Sequence, residues 1–109
     1  MEFIESEYFS RRLPKYLNDE EFSELQWAIA LNPNAGDVIP GSGGLRKLRW
    51  KIEGRGKRGG LRVIYYWHRA PGMVVLLELY RKNERADLSP GERRELRKML
   101  DAVLKEIKS

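Results

Sequence analysis

The sequence has no cysteine and a single histidine, His68. The first absence excludes disulfides and thiolate metal sites, the second leaves no histidine cluster, and no metal or cofactor is expected. The N-terminal MEFIESEYFS lacks the basic and apolar regions of a secretory leader, and no apolar run reaches membrane-spanning length. A cytoplasmic location is therefore expected. There are no repeats and no low-complexity tracts. With 109 residues, 41% of them apolar, the chain can bury one core, and a single domain over 1–109 is expected.

Charge is plentiful but unevenly placed. The formal net charge is +5, yet the segment GLRKLRWKIEGRGKRGGLRVIYYW (44–67) holds eight Lys or Arg against one acid. Residues 1–40 carry eight acids against three bases. A cationic surface this local points to a polyanionic partner rather than to general solubility.

The pattern reads as β, α, α, several strands, α. MEFIE can form a first strand, and Tyr8, Phe9, Leu13 and Leu17 recur as a helix that Pro14 is expected to bend or end. Asn18 and Glu21 make a capping box for a second helix from about Asp19, stopped at Asn32-Pro33-Asn34. Val38-Ile39 reads as a short strand, LRKLRWKI as an alternating one, LRVIYYWH as a third, and MVVLLELY as a central strand apolar on both faces. Ser89-Pro90-Gly91-Glu92 starts a C-terminal helix with its stripe at Leu96, Met99, Leu100, Val103 and Ile107. The expected class is α+β: a twisted antiparallel sheet with two N-terminal helices and one C-terminal helix, all on one sheet face. The other face would then be open.

Alternation puts Leu48, Trp50 and Ile52 toward the core and Lys47, Arg49 and Lys51 on the opposite face, which Arg62 joins from the next strand. The loop GRGKRGG between these strands invites comparison with phosphate-binding glycine loops. It lacks the G-x-x-x-x-G-K-S/T spacing and joins two strands rather than a strand and a helix, so a nucleotide site is not expected. Its Arg55, Lys57 and Arg58, together with Lys51, suit backbone contacts to RNA. Tyr65 and Trp67 share the face of Val63 and read as core; Tyr66, on the face of Arg62, is the better platform for a base. His68, of the type that titrates near neutrality, ends a strand beside a turn and is a weaker acid–base candidate.

No Ser-His-Asp, paired-carboxylate or metal-ligand spacing stands out, so an enzyme built on this chain must work mainly through positive charge. RNA cleavage by the ribose 2′-oxygen suits that constraint. It needs an in-line pose, charge stabilisation at the phosphorane and proton transfer at two oxygens.

Three stretches, LNPNAGDVIPGSGGLRKLRW (31–50), GKRGGLRVIYYW (56–67) and LLELYRKNERADLSPGERREL (76–96), follow one another with short gaps. Together they resemble toxins of the RelE/ParE superfamily, of the HigB type found in bacterial toxin–antitoxin modules. The resemblance covers nearly the whole chain. It implies a small RelE-like α+β fold and a ribosome-dependent mRNA endonuclease, with a ribosome carrying mRNA as target. The partner it implies is a cognate HigA-like antitoxin, often one with a helix-turn-helix domain. It also implies catalysis by basic residues on the sheet, matched here by Lys47, Arg49 and Arg62, with Lys82 at the basic position after the central strand. Asn83 stands where the RelE pattern has an arginine and Ser89 where it has a tyrosine. The proton donor and acceptor are left open among Tyr80, Tyr66, His68 and groups on the ribosome.

Two other readings survive the sequence. A ParE-like gyrase poison would break DNA and leave message intact. A non-catalytic RNA-binding module would bind with steep salt dependence and cut nothing.

Overall fold

The computed structural model describes residues 1–51, 60–69, 72–85 and 87–108. The elements run β1 (Glu2–Glu5), α1 (Glu7–Tyr16), α2 (Asp19–Leu31), β2 (Asp37–Val38), β3 (Arg46–Trp50), β4 (Leu61–His68), β5 (Met73–Arg81) and α3 (Pro90–Lys108). This is the α+β order expected from the pattern. Ile52 and the loop cations Arg55, Lys57 and Arg58 lie outside the described residues.

Helix starts follow their caps. The Asn18 carboxamide oxygen accepts from the Glu21 N–H at 2.8 Å and the Glu21 carboxylate accepts from the Asn18 N–H at 2.9 Å. Ser89 and Glu92 repeat the exchange at 3.1 and 2.8 Å ahead of α3. Asn18→Ala should lower the stability of the folded chain by about 1 kcal/mol, read as a shifted urea midpoint. Pro14 does not end α1, which runs two residues further. The lost bond falls near the helix terminus, where the carbonyl of exposed Ser10 can turn to water. Burial of Tyr16 holds the last turn in place.

The sheet order is β1-β5-β4-β3-β2. All pairs are antiparallel except β1 with β5, so the sheet is mixed where the sequence suggested an antiparallel one. Alternation within a four-residue strand does not encode direction, and β1 takes its direction from a partner about seventy residues away.

A larger correction concerns the faces. Phe9, Tyr16, Leu25 and Ile29 from α1 and α2 pack on Leu61, Val63, Tyr65, Val74, Leu76 and Leu79, with Leu48, Trp50 and Trp67 at the margin. On the opposite face Leu96 and Leu100 of α3 cover Ile64, Val75, Leu77 and Tyr80. The helices therefore sit on both faces, and the cation-bearing face is not open. The cause is legible in β5 itself: a strand apolar on both faces needs cover on both.

One irregularity shapes the site. Ile64 pairs with Glu78 and Tyr65 with Leu76, so Leu77 is an extra residue and β5 bulges. The bulge resets the alternation: Leu76 and Leu79, three apart, belong to one core, and Leu77 and Tyr80 to the other.

Candidate functional site

Register brings the basic residues together. Arg49 stands opposite Arg62 across β3 and β4, and Arg62 opposite Tyr80 across β4 and β5. Opposed residues share a face at roughly 5 Å, so Arg49, Arg62 and Tyr80 form one row across three strands. The row runs from solvent to interior: Arg49 is exposed, Arg62 is 8% exposed and Tyr80 1%. Like charges directly opposed destabilise a sheet. This chain keeps such a pair at the edge of its core.

Lys47 lies two residues from Arg49, about 7 Å along the strand. Its ammonium is 3.3 Å from the Asp87 carboxylate, on the segment leading into α3. The Leu88 N–H, which donates to Asp87 at 2.9 Å, and then Lys47 hold that carboxyl below its ordinary value. Arg62 donates to the Leu61 carbonyl at 3.3 Å. Next to the row, Gly60 has φ +56°, and a Cβ there would lie 2.6 Å from the Trp50 carbonyl oxygen, so only glycine lets β3 and β4 close at this end.

Lys82 and Asn83 occupy a tight turn after β5. The Glu84 N–H donates to the Arg81 carbonyl at 2.9 Å and the Arg81 N–H donates to the Glu84 carboxylate at 2.8 Å. The Lys82 N–H reaches the Gly60 carbonyl at 3.4 Å, one rung beyond the Leu61–Arg81 pair. Both side chains are exposed beside the row. Lys51 is exposed just past β3. Tyr66 lies on the face of Arg62, as the alternation has it, with Tyr65 and Trp67 on the other. It lies four residues from Arg62, roughly 13 Å along β4, half-buried against the α3 core and stacked on His68 at 6.2 Å.

Behind the row lies a buried ion network. Glu78 is 3% exposed. Its carboxylate meets Arg12 of α1 at 3.3 Å and Arg85 at 3.5 Å, and accepts from the Leu79 N–H at 2.8 Å. Burial pushes its carboxyl up in spite of these partners. Arg85 also meets Glu92 at 3.0 Å, and its guanidinium lies 4.7 Å from the centre of the Tyr80 ring. On the α1 side, Arg12 donates to the Tyr16 hydroxyl at 2.8 Å, which donates to Glu84 at 2.7 Å. Burial, then the bond to Glu84, pushes the Tyr16 phenol up to about 12. The turn carrying Lys82 and Asn83 is thereby braced on helix α1.

A family model described as the RelE toxin of the RelE/RelB toxin–antitoxin system matches residues 6–109. The chain belongs to the RelE toxin family. It is thus the toxin member of a toxin–antitoxin system, with an antitoxin as cognate partner. Among the described residues of this RelE-family toxin, no helix is long and apolar enough to cross a membrane.

The three RelE-like stretches bring Lys47, Arg49, Arg62 and Lys82 to one corner of the sheet. Sequence reasoning missed Glu78, Arg85 and Asp87. Glu78 carried a signal, as the one acid in an otherwise apolar strand run. Also missed was a cleft of about 500 Å³ beside the β2–β3 loop, lined by Arg93, Arg94, Arg97 and Lys98 of α3. The apolar stripe of α3 gives no sign of this cleft, which forms where the helix brings Arg97 to Gly43, whose carbonyl accepts from it at 2.7 Å.

Acid should loosen this toxin with a definite sign. Glu84, Glu92 and Asp87 sit below their ordinary values, owing first to backbone N–H donors. Their contribution is complete above the unfolded values and is lost as pH falls through the folded ones. Glu78 has the opposite sign: its raised carboxyl opposes folding at neutral pH and is relieved on acidification. The urea midpoint should therefore fall between about pH 7 and about pH 3, and fall more steeply in Glu78→Gln, which lacks the compensating group.

Proposed function

We propose that this RelE-family toxin is a HigB-type endoribonuclease that cuts mRNA on translating ribosomes in the cytosol, restrained by a HigA-like antitoxin with a helix-turn-helix domain. The observation that carries this reading is the opposed Arg49–Arg62 pair with Lys47 beside it. Two opposed guanidinium groups with an ammonium beside them present the donors and charge that a phosphate anion takes. A scissile phosphate is such an anion.

The reaction is an in-line displacement. The ribose 2′-oxygen forms a bond to phosphorus as the bond to the 5′-oxygen breaks, a proton leaving the first oxygen and one arriving on the second. Arg49 and Arg62 stabilise the charge that accumulates on the non-bridging oxygens. Lys47 exchanges Asp87 for the phosphate, and Lys82, at the corner of the row, adds charge from the other side. Lys51, Arg55, Lys57, Arg58 and Asn83 grip the RNA or ribosomal backbone, and Tyr66 offers a ring face to a base further along the strand. The α3 cations extend the same positive surface.

The test is to map message ends on translating ribosomes after induction of the wild type and of Arg49→Ala. Arg49 is exposed, so its removal leaves the core intact. New ends inside open reading frames with the wild type, reduced about tenfold or more in the variant, are expected. Intact message with growth arrested would overturn the reading.

A further inference from the structure

The row Arg49–Arg62–Tyr80 ends on a hydroxyl that the cationic mechanism does not use. The Tyr80 oxygen is buried and has no hydrogen-bond partner among the described residues. Two of the other buried tyrosines, by contrast, are fully engaged: Tyr65 accepts from the Gly36 N–H at 2.9 Å and donates to the Pro33 carbonyl at 2.7 Å, and Tyr16 bridges Arg12 and Glu84. Leaving a buried hydroxyl unmatched costs free energy, and phenylalanine would fill the same space without that cost.

The surroundings of this hydroxyl are charged. Arg85 lies over the ring at 4.7 Å, Arg62 stands directly across the strand, and the charges of Arg85, Asp87, Arg62 and Glu78 all reach the phenol. Burial pushes the phenol up, which keeps it an O–H donor at neutral pH. A buried donor without an acceptor, on a residue with Arg85 over its ring and Arg62 across the strand, matches an oxyanion.

We propose that the Tyr80 hydroxyl is the buried end of the phosphate site and donates a hydrogen bond to a non-bridging oxygen of the scissile phosphate, beside Arg62. This rests on the RNA-cleaving reading above and names a contact within it. The other candidates fail on distance. Tyr66 and His68 stand four and six residues from Arg62, roughly 13 and 20 Å along the strand, whereas Tyr80 is its direct neighbour. On the same face the Lys47–Asp87 pair, with Asp87 76% exposed, lies at the surface. Such pairs are easily exchanged for a stronger anion.

The experiment compares Tyr80→Phe with the wild type in three ways. Without ligand, the variant should unfold at the same or a higher urea concentration. Inorganic phosphate, titrated against chloride at matched ionic strength, should stabilise the wild type, and its apparent dissociation constant should rise about tenfold in the variant, as for a lost charge-assisted hydrogen bond. Cleavage on programmed ribosomes should fall by a similar or larger factor. A wild type indifferent to phosphate, equal phosphate affinity in both proteins, or a variant clearly less stable than the wild type would each overturn the proposal; the last result would mean that the hydroxyl is already satisfied in the free fold. Phosphate discrimination with no message cleavage by the wild type would instead overturn the RNA-cleaving reading and leave the anion site standing.

Discussion

Arg62→Met should lower the rate of message cleavage by about 10²–10³-fold while the protein stays folded. Methionine keeps most of the apolar stem that packs at the edge of the sheet and deletes the guanidinium. Because Arg62 is 8% exposed, its charge acts in a site where water screens poorly, and a donor aimed at a phosphorane is worth far more there than at the surface. Deletion removes the repulsion with Arg49 across the strand together with the bond to the Leu61 carbonyl, so the rate is read on samples whose melt shows them folded. Arg62→Lys should recover part of the rate, since charge returns without the planar fork. Single-turnover cleavage on programmed ribosomes, with a thermal melt on the same samples, is the measurement. A folded Arg62→Met that cuts at the wild-type rate would sink the assignment of this row.

The largest effect on stability is expected at Glu78. Glu78→Leu should cost about 3–5 kcal/mol, the range for removing one member of a buried ionic group and stranding the others. Arg12 and Arg85 would be left facing an apolar side chain, and the Leu79 N–H would lose its acceptor. Glu78→Gln should cost much less, because it keeps an acceptor and because burial already favours the neutral carboxyl. Urea unfolding at neutral pH separates the two. A Leu variant within about 1 kcal/mol of the wild type would show that the pairing only offsets its own desolvation.

The same residues show which parts of this molecule could be read in advance. Asn18-x-x-Glu21 and Ser89-x-x-Glu92 announce their helices because a cap is satisfied within one turn of chain. The alternation in Arg46–Trp50 announces a strand with cations on one face, and Leu48 and Trp50 do pack inward. The cation cluster was legible because β3 and β4 are consecutive in the chain and close in sequence. What sequence does not display is long-range partnership. The Asp87 that holds Lys47 is forty residues away, and Arg12 and Glu78 meet across sixty-six. Nor can alternation foresee the bulge at Leu77, which decides that Glu78 joins a network with α1 and that Tyr80 faces Arg62. The side taken by α3 was misjudged for a related reason: apolar residues on both faces of β5 ask for two covers, but no local signal says which helix supplies the second.

The parallel strand at the sheet edge sets the order in which this toxin can assemble on the ribosome that makes it. β1 is synthesised first, yet its partner β5 ends at Arg81, and Ser6 at its C-terminal end is tied to the Leu76 and Leu77 carbonyls at 2.9 and 3.0 Å. The β4–β5 hairpin can zip as a local unit, whereas β1 and the helix behind it must wait for some seventy further residues. Contacts of such long loop closure form late and slowly. The row Arg49–Arg62–Tyr80 needs β3, β4 and β5 in register, so a nascent chain cannot assemble it until the residues through Tyr80 have been added.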